Sequence, residues 1–492
     1  MGIIQRQGLK NTAVTFTGLL LGFISLLYVQ PRFLAPEEIG LTRVLFSLSS
    51  LIGVFLPLGI GTITVKYFPV FRNPQNGHNG FFGLILLFMF TGAVVIFSLL
   101  IAAKGFFVNT YQEQSRLFTE FYYYVLPLSF IIGFNAVLTL YSNSLFRTTF
   151  PALFNEILVR VISIVLFTVY YSKLINLSAF VFLFVGIYGT QTVCLLLYLF
   201  LIDKPSINVN WNLLKEGNFA AMLKFGLWMS FVSVASMGIK YIDALVIAKY
   251  YKLELVGIYT IAAFIPNIIE APLNALDRIA GTKISQALAQ KDYNEIKKIY
   301  YLSSHYLLVI CGLIFIGIVT NIEFILQLLP PKYSGGLSVV IIISIGAMFN
   351  IAGGAITQII FSSDNFWKGG TLLIVVMIVT LLLNLVLVPV NGLQGAATAT
   401  ALSAALYFAA KFWIVYRSFG LQPYSLKTLQ TILIIILICF GVWCLPQVTS
   451  PIANIAFRSV SAIMLYAGIV LFLNLAPDLK QLAKNAKSML RF

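Results

Sequence analysis

Long apolar runs, each of about 20 residues, dominate this chain and limit what it can fold into. A helix of that length crosses the hydrocarbon core of a lipid bilayer. Charged residues make up only 10% of the 492 positions, against about 25% in soluble domains, so too little polar surface exists to coat a water-soluble particle. The chain is therefore predicted to be a polytopic membrane protein.

Fourteen such runs are bounded by charged residues, proline or glycine. Strands that cross a membrane alternate in polarity and are about half as long, so the runs are predicted to be transmembrane helices and the fold class all-α. The predicted spans lie near residues 11–30, 44–65, 80–103, 121–143, 151–170, 178–202, 223–248, 253–275, 299–320, 336–362, 368–390, 393–417, 428–446 and 452–475.

The distribution of basic residues favours an orientation with both termini in the cytoplasm. In that orientation the inward loops and tails hold 21 of the 32 Lys and Arg residues and the outward loops hold 9, with Arg160 and Lys240 at membrane depth. The basic surplus therefore fits membrane topology and contact with anionic lipids. Nucleic acid is not an expected partner, because the chain has no basic soluble domain.

Two stretches separated by 217 residues look alike, each directly after a predicted span. Adding 217 to the positions of spans 1–6 closely reproduces spans 7–12, which predicts a duplicated six-helix unit. Six is an even number, so the two repeats are predicted to be parallel, which suits transport by alternating access. The matching segments are Leu34–Leu41 and Tyr251–Ile258, in which Glu37 corresponds to Glu254 and Gly40 to Gly257.

The predicted organisation follows from the spans and the repeat. Residues 1–202 form an N-terminal six-helix lobe, 203–222 a cytoplasmic linker and 223–420 a C-terminal six-helix lobe. Residues 421–492 add two further helices, beside a lobe or a lateral opening, and a basic cytoplasmic tail.

The chain has few features of an enzyme. No hydrophilic segment is large enough for a catalytic domain, and no phosphate-binding Gly-x-x-x-x-Gly-Lys-Ser/Thr motif is present. His78 and His305 have no metal-binding companion at helical spacing. We therefore expect a protein that is not an enzyme, with no cofactor and no metal site, although coupling to a proton or sodium gradient is plausible.

Several motifs resemble those of the multidrug/oligosaccharidyl-lipid/polysaccharide (MOP) exporter superfamily. An acidic turn before Gly40 is followed by a helix that ends in Leu-Gly-Ile-Gly and by a basic-aromatic pair, and the second copy looks similar. The small-residue entry of span 12 is similar to that of the polysaccharide branch. The residues concerned are Phe33–Pro69 with Lys66-Tyr67, Phe225-Gly226, Asp243, Val256–Tyr259 and Val388–Thr400.

Span 1 narrows the resemblance to one branch. Drug/cation antiporters of the superfamily typically carry a carboxylate there, and flippases for the lipid-linked peptidoglycan precursor usually carry an Arg-Asp pair, whereas Asn11–Tyr28 holds no charge. The chain most resembles the bacterial polysaccharide flippases. This resemblance implies movement of a polyprenyl-pyrophosphate-linked oligosaccharide across the inner membrane for cell-surface polysaccharide synthesis.

Charged residues at membrane depth are candidate site residues, since each costs about 2.5–3.5 kcal/mol to insert. Glu156 precedes Arg160 by four residues and is suited to an intrahelical ion pair. Arg160 either attracts the anionic pyrophosphate or forms a purely structural pair with Glu156. Likewise Lys240 and Asp243 form a pair, or Asp243 binds a coupling ion.

Span 8 carries a polar stripe, because Asn267, Glu270, Asn274 and Asp277 are spaced 3, 4 and 3 apart and share one helical face. Such a face needs a water-filled cavity or partner groups, since lipid cannot satisfy it. Pro266 and Pro272 interrupt the same helix. The stripe is predicted to line a cavity or to pack between helices, and Glu270 is a candidate coupling group.

Arg43 and Lys66 flank span 2 and either guide the substrate or anchor the helix. The working hypothesis places the charged head of the substrate in a cationic cavity between spans 1, 2, 7 and 8, with its tail in lipid. Two alternatives stay open: a cation-coupled small-molecule or multidrug antiporter of the same fold, and a membrane-embedded enzyme of glycan assembly. The expected partners are the lipid-linked substrate, membrane lipids and polysaccharide assembly proteins, and the expected state is a monomer.

Overall fold

The computed structural model describes residues 3–209, 219–448 and 450–475, and every regular element within these ranges is helical. The prediction of an all-α membrane protein is confirmed. Parts of the predicted linker and most of the predicted C-terminal tail lie outside the described residues.

The chain divides into two compact units, Met1–Thr260 and Ile261–Phe492. The first unit includes span 7, whose helix packs on the first part of span 2. The division into lobes at 202 and 223, and the duplication on which it rests, stay predictions.

The helices of the first unit are joined by short connections and by three-residue to seven-residue turns of 3₁₀ helix at Pro74–Gly80 and Tyr122–Tyr124. Two helices contain a single π turn, at Ile24–Val29 and Phe154–Leu158. The helices are α1 (Ile3–Phe23, continued by Gln30–Phe33), α2 (Pro36–Phe55), α3 (Ile60–Phe71), α4 (Phe81–Ala102), α5 (Lys104–Tyr111), α6 (Arg116–Glu120), α7 (Val125–Ser144), α8 (Thr149–Leu153), α9 (Val159–Tyr171), α10 (Leu177–Asp203), α11 (Phe219–Tyr250) and α12 (Leu253–Phe264).

The last helix of the first unit, α12, runs on into the second unit, where a 3₁₀ turn at Pro331–Gly336 precedes the helix of span 10. The remaining helices are α13 (Asn267–Ala289), α14 (Tyr293–Gln327), α15 (Leu337–Ala352), α16 (Ile356–Ser362), α17 (Phe366–Phe419), α18 (Leu426–Trp443) and α19 (Pro451–Phe472).

The number of membrane crossings agrees with the prediction of about fourteen. Twelve helices among the described residues are long and apolar enough to cross a membrane, and the broken pair α12 and α13 raises the number to 13. The 54-residue helix α17 contains a non-helical residue, Gly392, with φ 55° and ψ −130°. Gly392 divides α17 into two segments, each long enough to span the bilayer, which brings the count to fourteen.

Span 2 is broken in the first unit, where α2 ends and α3 begins. Leu58 and Gly59 both have positive φ, at 49° and 84°. The break is closed by backbone bonds, from Leu58 N–H to the Phe55 carbonyl and from Ile60 N–H to the Pro57 carbonyl. Because a β-carbon at Gly59 would lie only 2.2 Å from the backbone of Gly226, glycine is required at this close approach of α11.

Two further breaks occur in the second unit. Span 8 is interrupted before α13, with Pro266 at the break, while Pro272 lies inside α13, which continues past it. Span 10 is interrupted between α15 and α16, where Gly354 has φ 51°. Here side chains satisfy the freed carbonyl of Ala352, which accepts hydrogen bonds from the hydroxyls of Ser304 and Tyr424 at 2.7 and 3.3 Å.

The two matching segments found in the sequence meet in the first unit through their glycines. A β-carbon at Gly40 would lie 2.0 Å from the carbonyl oxygen of Leu253, and one at Gly257 would lie 2.0 Å from that of Pro36. With the offset of 217, Pro36 corresponds to Leu253 and Gly40 to Gly257. The glycine of each segment therefore contacts the equivalent position of the other segment. A local two-fold axis that relates the two segments produces this kind of reciprocal contact.

A buried histidine fastens the connection between spans 2 and 3 to the end of span 6. His78 Nε2 lies 2.8 Å from Asp203 Oδ1, while Asn73 N–H donates to His78 Nδ1 at 3.2 Å. Because Nδ1 accepts this bond, the Nε2–H of His78 donates to Asp203. The other oxygen of Asp203 accepts from the Tyr141 hydroxyl at 2.8 Å.

The two C-terminal helices α18 and α19 pack on α14 through an apolar cluster that includes Tyr466 and Ile435. The Tyr466 hydroxyl donates to the Val309 carbonyl at 2.9 Å. These helices are therefore attached to the second unit by both apolar burial and hydrogen bonds.

Candidate functional site

The predicted ion pair of span 5 is present. The Arg160 guanidinium contacts both the carboxylate and the carbonyl of Glu156, and both side chains are about one-third exposed, at 30% and 34%. The pair lies on Gly18 and Gly22 of α1, where an added β-carbon would come within 2.6 Å of Glu156 and 2.9 Å of Arg160. These two glycines give the pair a flat surface, and a larger side chain at either position would displace it.

A second arginine of the first unit lies near the same tyrosine as Arg160. The charges of Arg43 and Arg160 both act on Tyr188 of α10. The Arg43 guanidinium also stands over the ring of Tyr241, 5.0 Å from its centroid. Arg43 makes no ion pair with a carboxylate among the described residues, so its charge is available to an anion. We call Arg43, Glu156, Arg160 and Tyr188 the arginine cluster.

Aromatic rings border the arginine cluster. Phe46 packs against Tyr188 and Tyr241, with ring centroids 5.3 and 5.8 Å apart, and Phe184 packs against Tyr188 at 5.5 Å. The cluster therefore combines positive charge with apolar and hydroxyl-bearing ring surfaces.

Lys66 lies elsewhere in the first unit. It is exposed on α3, and its ammonium stands over the rings of Phe225 and Tyr67, 4.1 and 5.3 Å from their centroids. Such cation–π contacts hold a lysine head group against aromatic rings. Both predicted roles of Lys66, guiding a substrate or anchoring span 2, stay predictions.

Asp243 and Lys240 differ in their surroundings although three residues separate them on α11. Asp243 is 6% exposed and accepts a hydrogen bond of 2.5 Å from the hydroxyl of Tyr259, whereas Lys240 is exposed. One partner of Asp243 is thus a tyrosine of α12. The ion-coupling role considered for Asp243 stays a prediction.

The polar stripe of span 8 begins with two exposed asparagines, Asn267 and Asn274, on α13. Glu270 lies between them, half-buried, and accepts a hydrogen bond of 2.9 Å from the side-chain amide of Asn350 on α15. The stripe thus mixes exposed amides with a carboxylate that has a partner on another helix.

The last residue of the stripe, Asp277, faces the short helix α16. Its side chain is hydrogen-bonded to Gln358, which packs over Gly281 one turn further along α13. Its Oδ1 atom is buried without a hydrogen-bond partner in the described part of the chain. A buried carboxylate oxygen without a hydrogen-bond partner can still accept a hydrogen bond or bind a cation.

Two buried basic residues were missed by the sequence analysis, which assigned only Arg160 and Lys240 to membrane depth. Lys411 of α17 and Arg458 of α19 are each 4% exposed. Arg458 donates to the carbonyls of Thr320 and Leu445, at 3.0 and 3.3 Å. Lys411 lies near Asp277 and Glu270, whose charges both act on it. We call Glu270, Asp277 and Lys411 the carboxylate cluster.

Both residues stand near the predicted ends of apolar runs, where a hydropathy window does not distinguish a buried charge from a loop charge. The helical spacing of Lys411 from Tyr407 was the one available signal, since a lysine four residues after an aromatic residue shares its face. Within the described residues, no group of three or more His, Cys, Asp and Glu side chains is placed to hold a metal ion.

The sequence was compared with protein families and with known proteins. The profile of the family described as polysaccharide biosynthesis protein matches residues 29–335, more than half of the chain. The chain belongs to this family. The resemblance to a polysaccharide-related family is thereby confirmed. No match to a curated protein was found.

Solved structures of MOP transporters share the fold of this family member. The lipid II flippase MurJ, in an inward closed conformation, has a TM-score of 0.76 at 15% identity and covers 94% of this chain and 98% of its own. An inward-facing multidrug resistance transporter of the MATE family has a TM-score of 0.66 at 14% identity, over 84% and 98% of the two chains. A MOP superfamily transporter from Pyrococcus furiosus has a TM-score of 0.55 at 13% identity, over 85% and 95%. The protein is a multi-pass membrane protein with the fold of MOP-type transporters.

Proposed function

We propose that the protein moves a polyprenyl-pyrophosphate-linked oligosaccharide from the cytoplasmic to the outer leaflet of the bacterial inner membrane by alternating access. Membership of a polysaccharide biosynthesis family supports a glycan substrate. The basic surplus of the inward loops supports cytoplasmic termini and an inner-membrane location. No step of this proposal requires a catalytic residue.

The arginine cluster carries the proposal. The charges of Arg43 and Arg160 both act on Tyr188, and Glu156 supplies the one carboxylate contact that the described residues show for them. Guanidinium groups bind phosphate oxygens in paired hydrogen bonds and are the preferred residues for phosphate recognition. The bordering rings add surfaces on which sugars stack. The cluster thus suits an anionic pyrophosphate joined to a sugar.

Glu156 has a defined part in this proposal. A guanidinium without a counter-charge would hold a phosphate too firmly to release it, and Glu156 competes with the phosphate for Arg160. The polar stripe of α13 would provide hydrated surface for the passing head group, with Glu270 or Asp243 as the group that couples transport to a proton or sodium gradient.

The test replaces Arg160 or Glu270 by Ala in cells whose surface polysaccharide depends on this protein. Each change should lower glycan export at least about tenfold, because a charged hydrogen bond contributes about 1.5–3 kcal/mol. Export is measured as surface polysaccharide, and membrane levels by immunoblot. The matched control is Arg116→Ala, which removes an exposed arginine paired with Glu120 in an ordinary surface bridge.

Full export in both variants at normal membrane levels would remove these site assignments. Drug resistance on overexpression, with no effect on glycan export, would favour a small-molecule antiporter instead. Formation of glycan product by the detergent-solubilised protein, with no membrane gradient, would favour an enzyme.

A further inference from the structure

Lys411 is a buried lysine in the carboxylate cluster whose role the proposed function does not use. It lies in the second half of α17, 4% exposed, and its ammonium is 4.1 Å from the centroid of the Tyr407 ring. Within the described part of the chain, the ammonium donates one hydrogen bond, of 3.3 Å, to the Thr357 hydroxyl. An ammonium has three donors, so Lys411 has unused hydrogen-bonding capacity.

The carboxylates around Lys411 complement this unused capacity. Asp277 Oδ1 is buried and has no hydrogen-bond partner among the described residues, while Gln358 bonds to the Asp277 side chain. The charges of Asp277 and Glu270 both act on Lys411, although neither is in direct ion-pair contact with it in the described structure. A buried charge is tolerated only when an opposite charge lies close by, and each of these groups provides one for the other.

The distance between the two carboxylates limits which kind of cation, a bound metal ion or a lysine ammonium, can neutralise both of them. Asp277 and Glu270 are seven residues apart on one helix, about 10 Å along its axis. A metal ion bound by oxygen ligands needs them within about 2.6 Å, so one ion cannot bridge the two carboxylates. A lysine head group on a flexible four-carbon stem can move between Thr357 and Asp277 without leaving the cluster.

We propose that Lys411 is a tethered cation for Asp277, a half-buried residue whose Oδ1 atom is buried: the lysine supplies the positive charge that this carboxylate requires and thereby excludes a free monovalent metal cation from it. Thr357 and Gln358 lie side by side on α16 and hold the two ends of this charge pair. Glu270 is half-buried and accepts a hydrogen bond from Asn350, and the proposal assigns it no part in neutralising Asp277. This inference concerns the second unit by itself and does not depend on glycan transport.

The experiment compares thermal unfolding of the purified protein in detergent with sodium chloride or choline chloride at equal concentration and neutral pH. Any difference between the two salts in the unchanged protein should persist in Asp277→Asn, because Lys411 already neutralises this carboxylate. Lys411→Met keeps the shape of the side chain and leaves Asp277 without a cation. We expect this variant to unfold about 2–4 °C lower in choline and to recover in sodium with a saturating dependence, because a bound ion stabilises by mass action.

Two further variants separate the charge from its surroundings. Lys411→Met combined with Asp277→Asn should lose the sodium effect, since no carboxylate is left to neutralise. Lys283→Met, which alters an exposed lysine of α13, should behave as the unchanged protein. Should Lys411→Met fail to accumulate, Asp277→Asn in the same chain is expected to restore its yield.

Several outcomes would overturn the inference. Sodium-specific stabilisation of the unchanged protein that Asp277→Asn abolishes would show that a free cation is already bound at Asp277 beside Lys411. Equal stability of Lys411→Met and the unchanged protein in both salts would show that the ammonium neutralises nothing. A failure of Asp277→Asn to restore a non-accumulating Lys411→Met would show that the two charges are independent. None of these readouts requires a glycan, so they are separate from the test of the proposed function.

Discussion

The arginine cluster of the first unit and the carboxylate cluster of the second have opposite charge. Arg43 and Arg160 outnumber Glu156 in one, whereas Glu270 and Asp277 outnumber Lys411 in the other. With the offset of 217, none of these six residues has a charged counterpart. The corresponding pairs are Arg43 and Thr260, Glu156 and Leu373, Arg160 and Met377, Glu270 and Gly53, Asp277 and Ile60, and Lys411 and Cys194.

The comparison shows that the two halves of the chain share a pattern of spans without sharing their buried charges. A membrane-spanning helix has to be apolar and about 20 residues long, and many different sequences meet this requirement. A charge at membrane depth is costly and persists where a partner or a ligand compensates it. Opposite charges in the two clusters therefore fit the two proposals, an anionic ligand at the arginine cluster and the tethered Lys411 at the carboxylate cluster.

The largest effect is expected when the arginine cluster is converted to its uncharged counterparts. Arg43→Thr combined with Arg160→Met should lower glycan export by about 100-fold or more, since two charged hydrogen bonds of about 1.5–3 kcal/mol each are lost. The measurement is surface polysaccharide at equal membrane level. Each single change should have a smaller effect, and export near that of the unchanged protein in the double variant would contradict an anion site at this cluster.

A second prediction concerns the matching glycines of the two repeated segments, Gly40 and Gly257. Gly40→Ala and Gly257→Ala should lower the stability of the purified protein by similar amounts, about 1–3 kcal/mol, because each β-carbon would overlap a carbonyl oxygen at 2.0 Å. Thermal unfolding in detergent measures the change.

The effect of the double change should be less than the sum of the two, since both glycines belong to one contact. Gly186→Ala is the control, because nothing lies within 4 Å of its added β-carbon. Clearly unequal effects of Gly40→Ala and Gly257→Ala would contradict a local two-fold relation between the turns.

The smallest change in stability is expected at the helix breaks. These breaks differ in which groups form hydrogen bonds to the free backbone carbonyls. Tyr424→Phe removes one of the two side-chain hydrogen bonds to the Ala352 carbonyl at the break in span 10 and should cost about 1 kcal/mol. Ser304→Ala, which removes the other, should cost about as much. Thermal unfolding serves again, with exposed Tyr416→Phe as the control, and unchanged stability of both variants would contradict this account.

Much of the fold follows from the sequence because the bilayer imposes a single length and polarity on every span. The ends of span 6, predicted near 178–202, are observed at Leu177 and Asp203. The pairing of Glu156 with Arg160 also follows, since it depends only on helical spacing.

The rest of the fold depends on contacts between distant residues. Hydropathy does not reveal the break at Leu58–Gly59, because an apolar turn has the same mean hydropathy as an apolar helix. The bond from Tyr259 to Asp243 joins two helices whose crossing the sequence does not give. Lys411 lies within predicted span 12 but was not recognised as a buried charge for the same reason, since the partners that surround it come from α13 and α16.

The conformation of Gly392 has a consequence for everything that follows it. A continuous helix of 54 residues would be a rod about 81 Å long, more than twice the thickness of the hydrocarbon layer. A φ of 55° with a ψ of −130° is accessible to glycine and to almost no other residue. One hydrogen atom in place of a side chain thus makes the number of crossings even instead of odd, and with it decides on which face of the membrane the chain emerges.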